Sequence, residues 1–479
     1  MTSSTYDLVI LGSGSTAFAA ALRAAELGKR AVLTEARTIG GTCVNRGCLP
    51  SKNLIEAAKL LHDVRNPRYP GIAPHEPRFD FGALVRQKDE VISAYRDKKY
   101  LSLVGGAEGI RIAEGRAAFT GPRTVSVDGE ALVGDHFLVA LGSTPHIPAI
   151  DGIDTVPYLT SDLLTSQEDL ELKELPQSLI IVGGGYVALE LGQMFSRFGA
   201  DVTILERGPH VLHRGYEPEV GRTIQEILAA EGLVIRTDTR VQRVRREADR
   251  VVVSVSTRAG QKELRAARLL VATGRRPNTA DIGLEHPGVR TGEDGAILVD
   301  EHLRTTAPHV WAAGDTIGGA LGSQMATPVG AHDGAIVARN ALSGEEPKKV
   351  DHRVIPRAIF TDPQIGIVGM TEEQAIAAGH RCWCNTVPLE LVPRAGAIRD
   401  TRGAIKMVAD ADTDEVLGVS MVGAGAAEVI HEAAMALRFR ARLGDYIDLL
   451  HVYPTMAEAL KIVAISRYKD PAKLSCCAE

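Results

Sequence analysis

Two stretches of this chain carry the same succession of textures. In YDLVILGSGSTAFAAALRAAELGKRAVLTEA, residues 6–36, a run apolar from Leu8 to Leu11 enters a glycine turn. Residues apolar at helical spacing follow, then a second apolar run ending at Glu35. Continuous apolar runs of this length belong to parallel strands covered on both faces, so the pattern predicts strand, turn, helix, strand. SLIIVGGGYVALELGQMFSRFGADVTILER, residues 178–207, repeats it and ends in the same way at Glu206. Between the repeats the pattern predicts a helix from about Ser51, a loop holding Pro67, Pro70, Pro74 and Pro77, and a long helix ending near Tyr100. FLVALGSTP, LLVATGRRPN and HVWAAGDT read as further strand ends closed by glycine turns. From about Val350 the texture changes to alternating strands (AIFTDPQIGIVGM, GAIKMVAD, VLGVSMVG) and then helices.

The fold class that follows is α/β, with two Rossmann-like dinucleotide-binding units and a C-terminal α+β domain. We expect boundaries at residues 1–150, 151–270, 271–349 and 350–479, the third segment completing the first domain. The net charge of −6 offers no basic surface for nucleic acid. No apolar run reaches the roughly 18 residues of a membrane helix. The first strand begins so early that it leaves no room for a signal peptide. Only six cysteines occur, which fits a reducing cytoplasm, where clustered cysteines are read as catalytic or metal-binding.

The glycine turns carry the first chemistry. Gly12 and Gly14 let a pyrophosphate approach the backbone, Ala17 fills the third small position, and Glu35 can hold a ribose hydroxyl. Gly183, Gly185, Ala188 and Glu206 repeat the set. Two dinucleotide sites in one chain imply two cofactors and electron transfer between them. Just after the first site, GGTCVNRGCLPSK holds Cys43 and Cys48. Residues five apart on a regular helix point about 140° apart, so a distorted first turn is needed to bring them together, and a helix N-terminus there would stabilise a thiolate. Adjacent Cys476 and Cys477 near the chain end form a soft ligand pair for a thiophilic metal. Cys382 and Cys384 fall on one face of a strand, where we expect structural cysteines that behave as small buried apolar residues.

These motifs resemble, over essentially the whole chain, the flavin-dependent pyridine nucleotide–disulfide oxidoreductases. The resemblance implies FAD at the first site, NAD(P)H at the second, and a homodimer whose last domain completes the active site. It implies Cys43 and Cys48 as the redox disulfide, with Cys48 the thiolate against the flavin and Cys43 the exchanging thiol. Lys52, paired with Glu190, resembles the lysine near the flavin's reactive nitrogen, and Asp315 in AAGD the residue that binds the ribityl chain. Tyr186 resembles the ring gating the nicotinamide pocket. Gly41, Thr42, Ala140, Gly142, Gly274 and Arg207 lie in the matching cofactor-binding turns. Glu206 favours NADH, while Ala188, Arg207, His210 and Arg214 lean towards NADPH, which the resemblance also favours.

Within the family, the Cys476–Cys477 tail, Tyr100 and Tyr453 resemble the members that reduce mercuric ion, taking Hg(II) as thiol complexes. Relatives that reduce organic disulfides carry His where this chain has Tyr453, oriented by the acid matching Glu458. The exchange has a chemical reason. A leaving thiolate needs a proton from a group titrating near neutrality, about pKa 6.5 for His, whereas Tyr titrates near about 10. Reducing Hg(II) puts no proton on the metal. The remaining alternatives are a dihydrolipoamide- or glutathione-type reductase, a reductase of another thiophilic metal, or a protein that sequesters such metals.

Overall fold

The computed structural model of the chain describes residues 4–165 and 171–474. The first repeat forms the predicted strand Ser4–Leu11, helix Ser15–Glu26 and strand Ala31–Glu35. The two strands pair in parallel, and Ser4–Leu11 pairs on its other side with Glu130–Val139. Leu8, Val9, Ile10 and Leu11 are all completely buried, as burial on both faces requires. The strand Val310–Ala312 also joins this sheet, parallel to Glu130–Val139, and the helix Thr327–Leu342 packs against Ser15–Glu26.

The second repeat forms strand Ser178–Val182, helix Tyr186–Phe198 and strand Asp201–Leu205. They belong to a separate sheet in which Val234–Arg236, Asp201–Leu205, Ser178–Val182, Arg268–Val271 and Tyr158–Leu159 run parallel in that order. A three-stranded antiparallel sheet, Arg240–Glu247, Arg250–Thr257 and Gly260–Ala266, stands beside it. The last region is a five-stranded antiparallel sheet from Arg357–Ile359 to the edge strand Cys382–Pro388, covered by Ala426–Arg438 and Glu458–Ile465. An ion-pair cluster ties it to the second unit: Arg197 Nη2 lies 2.9 Å from both Glu231 and Asp362, and Arg402 reaches Glu231 at 2.9 Å. No helix among the described residues is long and apolar enough to cross a membrane.

Candidate functional site

Both glycine turns are built alike, and each glycine is dictated by backbone contact. Gly12 has φ +119°, and a Cβ there would lie 2.3 Å from the Ala140 carbonyl oxygen. Gly183 has φ +110°, and its Cβ would lie 2.4 Å from the Ala272 carbonyl oxygen. Gly14 and Gly185 cap their helices without side chains, leaving backbone N–H groups open to an anion. Ala17 and Ala188 are fully buried against the strands. Glu35 accepts from the Ser13 hydroxyl and the Arg37 amide. Glu206 accepts from the amides of Gly184 (2.7 Å) and Gly208 (2.6 Å), with His213 Nδ1 at 3.3 Å. Each acid is thereby fixed at its strand end. Arg207 is exposed next to Glu206, and Gly274 closes the adjoining turn with φ +108°.

The first turn opens into a cavity of about 650 Å³. Gly12, Gly14, Glu35, Gly41, Thr42, Ala140, Gly142 and Asp315 line it, together with Cys43, Cys48, Lys52, Tyr186 and Glu190. Its glycine walls fit a long dinucleotide: a Cβ on Gly41 would lie 2.7 Å from the Gly14 Cα, so nothing larger fits between the two turns. Asp315 accepts from the Ser143 hydroxyl at 2.5 Å, and Arg275 donates to the Ser143 hydroxyl and carbonyl at 2.7 and 2.6 Å. Ser143 and Arg275 were not expected. The signal was their position in the turns of GSTP and TGRRPN, whose strands Ser143–Pro145 and Arg275–Pro277 pair with each other.

The cysteines meet because the helix breaks between them. Cys43 lies in the short helix Gly41–Asn45, and Cys48 starts the long helix Cys48–Arg65, three residues before the expected start. Arg46 and Gly47 supply the break, with φ −137° and −118°. At the first position of its helix Cys48 feels the positive end of the peptide dipoles. Its sulfur is accessible from the cavity while protein fills most of the space around it. The hydrogen bond from the Cys43 thiol pulls the Cys48 pKa down to about 6, against burial and with help from the Lys52 ammonium and Thr327. The same bond, with burial, pushes Cys43 well above the usual thiol range. The pair is therefore a thiolate at Cys48 held by a thiol at Cys43.

Lys52 Nζ lies 2.7 Å from Glu190 Oε2, Glu190 Oε1 accepts from the Phe360 amide at 2.8 Å, and the ammonium sits over the Phe360 ring. Thr327, at the start of its helix, interacts with both thiols; nothing in the sequence pattern marked it. Tyr100 stands on a single π-helical turn, Asp97–Leu101, and packs edge-on against Phe18 at 4.8 Å. Burial raises its pKa, a hydrogen bond with Ser15 opposes this, and Cys43 is close enough to add to the rise.

Tyr453 is not brought to this cavity within one chain. It is half-exposed on a loop with Leu449, Leu450 and Val452, also exposed. Nearby His451 is turned into its own domain by Glu432 at 2.8 Å. Glu458 accepts from the Thr455 amide at 3.1 Å. Cys476 and Cys477 lie outside the described residues. Cys382 and Cys384 depart from the expectation of buried structural residues: both are only half-buried, because the strand that carries them is the edge of its sheet.

The model of the pyridine nucleotide-disulphide oxidoreductase family matches residues 6–335, and that of the family's dimerisation domain matches residues 355–464. The chain is 42% identical over 479 residues to the mercuric reductase of Streptomyces lividans, covering 99% of this chain and 98% of that protein. It is 40% identical over 473 residues to the mercuric reductase of Staphylococcus aureus, covering 99% and 84%. Among solved structures it resembles the Cu(II) complex of the HOCl-induced flavoprotein disulfide reductase RclA from Escherichia coli. The TM-score is 0.85 at 31% identity, over 98% of this chain and 100% of that one.

Proposed function

This chain belongs to the pyridine nucleotide–disulphide oxidoreductases, and from that premise we propose that it reduces Hg(II) to Hg(0) with NAD(P)H. Mercuric reductases at 40–42% identity over nearly the whole chain support the reaction. The structural observation that carries it is the thiolate–thiol pair Cys43 and Cys48 lining the cavity. Position 453, where a disulfide reductase would present an imidazole, is Tyr. His451 is held by Glu432, and Glu458 is engaged with backbone rather than with an imidazole.

Hg(II) arrives as a complex with two small thiols. Cys476 and Cys477 of the partner subunit take the ion from them and pass it to Cys43 and Cys48 by ligand exchange, each bond to an incoming sulfur replacing one to a leaving sulfur. Cys43, the exchanging thiol, meets the incoming complex and Cys48 completes the pair as the thiolate, with Tyr100 close to Cys43. The overall balance is Hg(SR)₂ + NAD(P)H + H⁺ giving Hg(0), NAD(P)⁺ and two RSH. Protons therefore end on the departing thiols and none on the metal. FAD, when bound, supplies the two-electron relay between the nicotinamide and the sulfurs. Gly12, Gly14, Glu35, Gly41, Thr42, Lys52, Ala140, Gly142 and Asp315 would hold it. Gly183, Gly185, Tyr186, Glu190, Glu206, Arg207 and Gly274 form the nicotinamide side. Lys52 keeps the cavity floor electropositive and is itself held by Glu190.

Residues 1–150 with 271–349 serve as the flavin domain, 151–270 as the nicotinamide domain and 350–479 as the dimer interface, in keeping with the matched dimerisation domain. In that homodimer Tyr453 of the partner subunit completes the metal site, and Cys476 and Cys477 of the partner subunit deliver the ion. The test is NAD(P)H oxidation by the purified protein in excess thiol, with and without Hg(II), trapping volatile mercury. Hg(II)-dependent oxidation with Hg(0) released is expected. Turnover only on lipoamide or glutathione disulfide would refute it.

A further inference from the structure

Cys382 and Cys384 lie on the edge strand Cys382–Pro388, which pairs with a single neighbour, Ala404–Asp410. Between them Trp383 packs with the core of its domain and under Arg467. Strand alternation sends the two sulfurs together to the opposite face. Cys382 Sγ is 4.0 Å from the carbonyl oxygens of both Glu372 and His380. The charge around them is negative: Glu217, Glu219 and Glu372 share the one ammonium of Lys406, at 2.9, 3.3 and 2.9 Å.

We propose that Cys382 and Cys384 form a second soft-metal site, in which the two sulfurs bridge one two-coordinate thiophilic ion such as Hg(II). Strand geometry separates the two uses of a cysteine pair. Residues two apart on a strand have Cα atoms roughly 6.6 Å apart with parallel Cβ vectors. A disulfide needs Cβ atoms only about 3.5–4.5 Å apart, so closing one would pull the strand out of register. An ion between the sulfurs has no such difficulty. Two metal–sulfur bonds of roughly 2.3 Å, the length of a zinc–thiolate bond, span about 4.6 Å end to end. Rotation about each Cα–Cβ bond bridges the remaining difference. Ions that require three or four ligands are excluded, since no group of three or more His, Cys, Asp or Glu suited to a metal occurs among the described residues. Soft ions satisfied by two thiolates remain, and the surrounding carboxylates favour a cation.

Binding is ligand exchange without redox change. A bis-thiol complex of Hg(II) exchanges both ligands for Cys382 and Cys384, and the two protein protons leave on the displaced thiols. The site rests on sulfur spacing and stands apart from the reduction proposed above. Unlike Cys43 and Cys48, it stays open to metal when the protein is oxidised.

The experiment uses unreduced holoenzyme carrying Cys476→Ser and Cys477→Ser, so the tail contributes nothing. Mercuric chloride is added with a modest excess of free cysteine, and retained mercury and titratable thiols are counted after desalting. One more mercury per subunit is expected than in the same protein with either Cys382→Ser or Cys384→Ser added, with two thiols lost per added ion. Retention equal in all three proteins, or two ions on the pair, would overturn the proposal. So would loss of both thiols to a disulfide on treatment with diamide alone. Hg(II)-dependent NAD(P)H oxidation, measured in parallel on wild-type protein and on wild-type carrying only Cys382→Ser, reports separately on the reductase reading and is expected to be unchanged.

Discussion

Cys43→Ala tests the charge distribution at the cavity floor most directly. In the structure the Cys43 thiol is the first cause of the low Cys48 pKa of about 6, ahead of Lys52 and Thr327. Alanine removes that donor and leaves the ammonium, Thr327 and the helix N-terminus against burial and Glu190. The remaining attractions are weaker, so we expect the Cys48 pKa to rise by at least about one unit. At pH 6.5 a thiol of pKa 6 is roughly three-quarters thiolate, and one of pKa 7 roughly one-quarter. The assay is the pH dependence of Cys48 alkylation by iodoacetamide in reduced protein with the tail cysteines replaced by serine. The rate at pH 6.5 should fall about threefold relative to its high-pH plateau, and Cys43→Ser, which keeps a donor, should restore part of it. The reference is the apparent titration of the intact pair, since coupled thiols titrate as a unit. An inflection still at about 6 in Cys43→Ala would mean that Lys52 and the helix end set the thiolate, and that the thiol–thiolate picture is wrong.

Further outcomes follow from other contacts. Glu206→Gln removes the fixed negative charge where a 2′-phosphate would sit, so kcat/KM for NADPH relative to NADH should rise by about tenfold, near 1.4 kcal/mol; an unchanged ratio would exclude the carboxylate as discriminator. Gly12→Val should abolish flavin retention, read from the absorbance of the purified protein, because its Cβ would lie 2.3 Å from the Ala140 carbonyl oxygen; a fully yellow variant would refute the close approach. Arg197→Met leaves Glu231 and Asp362 to Arg402 alone, at 2.9 and 3.6 Å, a loss below the roughly 3–5 kcal/mol of a fully unpaired buried charge, and should lower the thermal inactivation temperature by a few degrees; an unchanged temperature would mean Arg402 alone satisfies both acids. Replacing Cys476 and Cys477 with Ala should slow reduction of Hg(II) held by bulky thiols more than that held by cysteine. Equal rates would remove the tail from delivery.

Much of the site was legible because its parts are local. A glycine that must meet a carbonyl, an acid at a strand end and two cysteines before a helix each sit within one short segment, so their positions could be read from spacing, while the roles of the cysteines came from the resemblance. Thr327, Ser143 and Arg275 were not legible, because their importance comes from long-range convergence. Thr327 reaches Cys43 and Cys48 from a helix almost three hundred residues away in the chain, and Asp315 is held by Ser143, itself gripped by Arg275. The break at Arg46 and Gly47 was anticipated only as a need for distortion, and it took the backbone to show two separate helices.

Periodicity and spacing by themselves determined the two dinucleotide units and the change of texture at the C-terminal α+β domain, and they placed Cys43 and Cys48 next to the first cofactor turn. Each of these follows from the physics of neighbouring residues: burial on both faces of a strand, the missing Cβ of glycine, the reach of a thiolate. Tertiary structure decided which thiol holds the charge, because that depends on a hydrogen bond across a helix break and on Lys52 and Thr327 brought in from outside it. It also decided that Tyr453 stands apart from its own chain's cavity, and that Cys382 and Cys384 lie on a sheet edge and not inside a core. Alternation places residues on one face of a strand, but only the packing of the whole chain says whether that face meets protein or water.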